Sequence, residues 1–204
     1  MNITRGASPS NFNGFGFTLP RVDFTKSENQ TKDWRKAQDW YDTGKKNECE
    51  KYQRDKVEKI TGLSCPETNM RLNSRTGEFL EKKSPNVSED GFDWTEDMDG
   101  LLVANNNDKC YINLKMVCCA GGAQTRTLRE VYHFIEAQLK YLLTHDSNDM
   151  YFINILDGDV SYKNRDKFEF LKKLPEFISI KNKCFIGDLY EFQKWWTHNY
   201  SSLQ

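Results

Sequence analysis

Asp99, Asn113 and Lys115 are the residues whose types and spacing could do chemistry. The stretch from Asp99 to Lys115 reads as two short strands joined by a turn, with Asp99 at the mouth of the first, directly before Gly100 and an apolar run, and Lys115 on the second. Between them Asn105, Asn106, Asn107 and Asp108 predict a turn, because Asn and Asp tolerate left-handed backbone and bond their own main chain. Ile112, Leu114 and Met116 alternate with Tyr111, Asn113 and Lys115, so one face of the second strand is apolar and Asn113 and Lys115 share the other. A hairpin paired in register brings Asp99 to the same place. An acid, then a polar residue two before a lysine on the next strand, is the layout of a metal-dependent phosphodiesterase site. The middle position of that layout is an acid; here it is Asn113, which can donate only a neutral carbonyl oxygen. Asp97 competes with Asp99 for the first position, and Asp99 is preferred because the glycine and the apolar strand follow it directly. Glu96 is expected to face solvent.

The elements that must position these residues follow from periodicity. Residues 45–60 read as a helix, with Cys49, Tyr52 or Gln53, Lys56 or Val57 and Ile60 at helical spacing and Thr61-Gly62 ending it. Glu50 flanks its apolar stripe and could turn inward. Residues 65–95 are polar and carry Pro66, Gly77, Pro85 and Gly91, which predicts a loop or an irregular hairpin with a strand near 78–82. A glycine turn at Gly121-Gly122 leads into the strongest helix, Thr125–Leu143, where Leu128, Val131, Ile135, Leu139 and Leu142 form one stripe. Thr127 and Glu130 have the spacing of a capping box. Met150–Leu156 is a near-continuous apolar run, as a central buried strand shows. A turn at Asp157-Gly158-Asp159, a helix over Asn164–Lys173, a short strand over Lys183–Gly187 and a last helix opened by Asp188 and Glu191 complete the order. That order predicts an α/β fold, a mixed β-sheet flanked by helices.

The bulk properties set limits. A chain of 204 residues suits one domain, 1–204, read as an N-terminal arm and short helix (1–44) followed by a core (45–197). Phe15, Phe17 and Leu19 are expected to tack the arm down, and Trp34, Trp40 and Tyr41 to serve as core or interface aromatics. No run approaches the ~18 apolar residues of a membrane helix, and Met-Asn-Ile-Thr-Arg-Gly lacks the apolar centre of a secretory signal. The six cysteines include no Cys-x-x-Cys pair, so they are read as reduced thiols of a cytoplasmic protein rather than a zinc site. A net charge of −1 argues against nonspecific attraction to phosphates as the source of affinity.

Taken together, Asp99-Gly100-Leu101-Leu102, Asn113-Leu114-Lys115, Gly121-Gly122, Gln124 and the helix to Leu143 resemble the PD-(D/E)XK nuclease superfamily, and within it the type II restriction endonucleases. Phe152 to Gly158 is similar to the next core strand and turn of that family, and Cys184 to Leu189 to its last strand and helix start. The resemblance spans roughly residues 45–197 and implies a restriction-endonuclease-like α/β/α core. It implies Mg²⁺-dependent, sequence-specific cleavage of double-stranded DNA by a homodimer, with each copy cutting one strand. Asp99 would be the principal metal ligand, the Leu114 carbonyl a further one, and Lys115 would orient the attacking water.

For Asn113 three explanations stand open. The missing carboxylate comes from elsewhere, with Glu50, Glu130 and Glu136 as candidates; or Asn113 replaces a catalytic Asp in an inactivated variant; or the chain is a silent relative that only binds DNA. A structure-specific repair or recombination nuclease is a further alternative. Gln124, Arg126 and Arg129 cluster at the start of the long helix, where amides and arginines can meet DNA phosphates or guanine; salt bridges to nearby acids are the other reading. His133, His145 and His198 are expected to pack locally or face solvent.

Overall fold

A computed structural model of the chain describes residues 35–39, 47–82, 89–118, 120–145 and 148–200. The expected arm and the aromatics Trp34, Trp40 and Tyr41 lie outside the described residues.

The strand that carries Lys115 is the hub. β5 (Lys109–Met116) pairs antiparallel with β4 (Gly100–Val103) on one side and parallel with β6 (Met150–Asp157) on the other, and β6 pairs parallel with β7 (Cys184–Gly187). The order β4-β5-β6-β7 is therefore a mixed sheet. The parallel β5–β6 pair requires a crossover, and α2 (Gly122–Thr144) supplies it. Helices α1 (Glu48–Thr61) and α5 (Leu189–Tyr200) cover one face, where Val57 and Ile60 meet Ile112, Leu114, Ile153 and Ile155, and Phe192 and Trp196 close the layer. On the other face α2 and α4 (Arg165–Lys172) bury Val131, Ile135, Leu139 and Phe168 against Phe152 and Ile186. Because β6 is covered on both sides, its sequence is nearly all apolar, as expected, with Asn154 and the terminal Asp157 as buried polar residues. The α/β fold with a helix-flanked mixed sheet is thus the one read from the sequence. No described helix is long and apolar enough to cross a membrane. The described cysteines are all free, and four of them are buried.

The polar stretch 65–95 takes the hairpin alternative, with β2 (Phe79–Glu81) where a strand near 78–82 was expected: β1 (Met70–Asn73) pairs with β2 and with β3 (Thr95–Asp97), a second antiparallel sheet in the order β2-β1-β3. It is anchored because Leu72 and the following Met98 insert into the α2 core. The Thr127–Glu130 spacing caps nothing. The helix begins five residues earlier, and Thr127 Oγ1 donates to the Ala123 carbonyl one turn back (3.2 Å). The helix expected over 164–173 is α4, and a short helix that was not expected, α3 (Asp159–Lys163), precedes it and meets it at Asn164. At the last helix the expectation holds in full: the Glu191 N–H donates to Asp188 Oδ1 (2.8 Å) and the Asp188 N–H to Glu191 Oε2 (3.2 Å), a reciprocal cap.

The turn from β6 into α3 depends on one glycine. Gly158 has φ +100°, and a Cβ there would fall on the Val117 carbonyl, part of backbone that also accepts from the Val160 N–H. Replacement Gly158→Ala therefore combines positive-φ strain with a backbone clash. We expect a loss of about 3 kcal/mol of unfolding free energy by urea titration; an unchanged midpoint would refute this account of the turn.

Candidate active site

The β4–β5 ladder runs from Val103↔Lys109 to Gly100↔Ile112, and the Asp99 N–H adds one more bond to the Ile112 carbonyl (2.8 Å). One step further, a side chain takes over from the backbone: Asp99 Oδ2 accepts from the Leu114 N–H at 2.6 Å. The same oxygen lies 3.7 Å from Lys115 Nζ. Amide and carbonyl of one strand residue point to the same side, so the Leu114 carbonyl is directed toward Asp99 as well. Asp99 and Lys115 are thus brought together as their spacing predicted, with side chains 12% and 30% exposed.

Helix α1 completes this end of the sheet with residues one turn apart. Glu50 lines the cleft beside Asp99 and Lys115. Gln53, fully buried, donates through Nε2 to the Lys115 carbonyl (3.2 Å) and to Asp157 Oδ2 (2.6 Å). Arg54 donates through Nη2 to the Asp99 carbonyl (2.9 Å). Gln53 and Arg54 escaped sequence reasoning, although their spacing from Glu50, three and four residues, places all three on one helix face. The cleft they wall has a volume of about 340 Å³, and the small sheet forms its other side through Arg71, Lys82 and Glu96.

The field in the cleft is crowded with acids. Burial pushes the Asp99 carboxyl above its ordinary value, partly offset by Lys115, the Leu114 N–H and Arg54. Burial also raises Glu50, and the Asp99 charge raises it further, against the pull of Lys115 and Arg54. Glu96, at the exposed rim, is raised by partial desolvation, with Lys115 opposing and Glu130 reinforcing. Asp97 differs from Asp99: it is ion-paired to Arg71 (3.2 Å) and Lys82 (2.8 Å) and so belongs to the small sheet. Carboxylates lifted together in a cleft form a place where a cation is favoured.

Asn113 does not enter the cleft. It is 1% exposed and turns into the sheet, where its Nδ2 donates to Asn154 Oδ1 (3.0 Å). Asn154 Nδ2 donates to Gln138 Oε1 (2.7 Å) and to the Phe185 carbonyl (3.3 Å). The Phe185 carbonyl can only accept, which fixes the orientation of Asn154 and leaves its Oδ1 to accept from Asn113 Nδ2 and from Gln138 Nε2 (3.1 Å). Asn113 Oδ1 is buried without a partner. Of the other carboxylates considered, Glu130 reaches the site only through its charge on Glu96, and Glu136 is engaged by Lys140 (2.8 Å) and His133 (3.6 Å). Of the three candidates Glu50, Glu130 and Glu136, Glu50 is therefore the one that lines the cleft with Asp99.

Gln124, Arg126 and Arg129 do not line this cleft. Gln124 and Arg129 border a second cavity of about 360 Å³ between α2 and the α3–α4 pair, and Arg126 is exposed on α2. His133 and His145 are exposed on α2, and His145 stacks on Tyr141. Comparison with protein-family models, curated proteins and solved structures finds no match.

The donors that face the cleft are oxygens and cationic nitrogens, with no thiol or imidazole among them. Among the described residues no three His, Cys, Asp or Glu side chains are grouped as a metal cage. That set fits Mg²⁺, which binds through one or two carboxylates and keeps its waters, and does not fit a structural zinc ion.

Two expectations test this geometry. Asn113→Asp sets a carboxylate against Asn154 Oδ1 in a dry site. It should lower unfolding free energy by about 2 kcal/mol or more in denaturant titration, and equal stability would show that the amide at 113 is not required. Glu50 has a folded pKa above its unfolded one, so its contribution favours folding below about pH 4 and is lost as pH rises through the raised value. Glu50→Gln should thus melt higher than the parent at pH 7, with the two curves converging below about pH 4; a parent that melts higher at pH 7 would contradict the direction of the shift.

Proposed function

We propose that the chain is a Mg²⁺-dependent, sequence-specific endodeoxyribonuclease of the type II restriction class, acting on double-stranded DNA as a homodimer. The observation that carries this reading is the Asp99–Lys115 pair, built across neighbouring strands at the open end of the sheet and joined there by Glu50. Asp99, Glu50 and the Leu114 carbonyl would hold the ion. Bound Mg²⁺ supplies charge neutralisation at a scissile phosphate and lowers the pKa of a coordinated water. Lys115, beside Asp99 Oδ2, donates to the attacking water and meets negative charge as it develops on the phosphoryl oxygens. The Gln53 bond to the Lys115 carbonyl keeps that residue in place, and the Leu114 N–H does the same for Asp99.

The position of Glu50 supports the first of the three explanations for Asn113: the carboxylate has moved from strand to helix. The buried amide ladder supports Asn113 as a fitted residue rather than a disabled catalytic acid. A two-fold pair of such sites matches the two strands of a symmetric DNA site.

The test is cleavage of a mixed-sequence plasmid with Mg²⁺. Discrete fragments are expected from this chain, with loss of at least ~100-fold in rate for Asp99→Asn and for Lys115→Met. Mg²⁺ should also raise the melting temperature of the parent, and less so that of Glu50→Gln. Cleavage at flaps or junctions in place of a fixed sequence would favour a repair nuclease. DNA binding with no cleavage and no Mg²⁺ effect on melting would favour the silent binder.

A further inference from the structure

We propose that Arg54 is a phosphate-binding residue, held in reserve by Glu67 and released to a backbone phosphate of DNA in the cleft; this rests on the nuclease reading of the site. Its place is set by three features. Its Nη2 is fixed on the Asp99 carbonyl at 2.9 Å, which locks the plane of the guanidinium beside the carboxylate–lysine pair. Its Nη1 is paired with Glu67 at 3.0 Å. The Arg54 side chain is 17% exposed and that of Glu67 is 79% exposed, so the arginine is seated and its partner is loose.

The acids that hold the other cations of the cleft are less exposed than Glu67. Arg71 is shared between Asp93 (3.4 Å) and Asp97 (3.2 Å), Lys82 is paired with Asp97, and Lys115 faces Asp99. An exposed carboxylate contributes little to its ion pair, because water screens it. A phosphate offers the same planar fork of acceptors with more charge, and arginine matches it with two parallel N–H donors. Exchange of Glu67 for phosphate therefore keeps the Nη1 bond satisfied and removes one acid from the path of a polyanion. The exchange places the bound phosphate next to Asp99 and Lys115, where the nuclease reading needs the DNA backbone. The competing account is that Arg54 only ties α1 to the start of β4.

Binding of the full-length chain to a short mixed-sequence DNA duplex, followed by anisotropy over a series of KCl concentrations with Ca²⁺ in place of Mg²⁺, separates the two. Arg54→Met should weaken binding roughly tenfold and reduce the slope of log affinity against log salt by about 1, the signature of one lost phosphate contact. Glu67→Gln, a change at an exposed residue, should tighten binding about threefold, the size of a weak ion pair. That gain should vanish when Arg54→Met is also present. An unchanged salt slope in Arg54→Met, or a Glu67→Gln gain that persists without Arg54, would overturn the assignment while leaving the nuclease reading intact. Failure of the parent chain to bind the duplex at all would remove both.

Discussion

The site depends on one substitution in a hydrogen-bond ladder. Where β4 ends, the Leu114 N–H is met by a carboxylate instead of a backbone carbonyl. A strand amide left unpaired in this position would be costly, so the bond fixes Asp99 against β5 as firmly as a ladder bond would. Everything at this end of the sheet follows from that register. Lys115, one residue on, has its ammonium beside the same oxygen, and the Leu114 carbonyl is directed to the same side. The acid and the base are thereby aligned by strand pairing rather than by flexible side-chain contacts, which is how a charged pair can hold its geometry beside open water.

Helix α1 turns this alignment into a site. Glu50, Gln53 and Arg54 fall on one face, and the latter two grip carbonyls of Lys115 and Asp99 while Glu50 faces the cleft. Burial raises both carboxyls, and Asp99 raises Glu50 again, against the pull of Lys115 and Arg54. On the outside of α2, where burial is slight, Lys140 holds Glu136 low. Desolvation therefore sets the cleft acids apart from that surface pair.

Much of this was legible in the sequence, and the failures have specific causes. The hairpin from Asp99 to Lys115 was readable because four Asn and Asp residues mark its turn and period-two alternation marks its second strand. Asp99 over Asp97 was readable from the glycine that follows, and the ion pairs of Asp97 agree. Strand β1 was missed because Met70–Asn73 is four residues long, sits among polar residues and is held by its pairing with β2 and β3 and by the tertiary insertion of Leu72. The Thr127–Glu130 spacing misled because a threonine inside a helix can bond back to the preceding turn as readily as it can cap. Asn113 was placed on the correct face of its strand, yet its fate was set by Asn154, 41 positions away, and by Gln138, which bonds Asn154 across 16 positions. No local pattern reveals such partners.

The amide at position 113 also fits the packing of the sheet. A carboxylate there would be buried outside the cleft, with no hydrogen to offer Asn154 Oδ1, which accepts from Asn113 Nδ2 and from Gln138 Nε2. On the nuclease reading proposed above, the second acid of the site stands on α1, where Glu50 lines the cleft, and the strand position is left to the internal ladder that ties β5, β6 and α2 together.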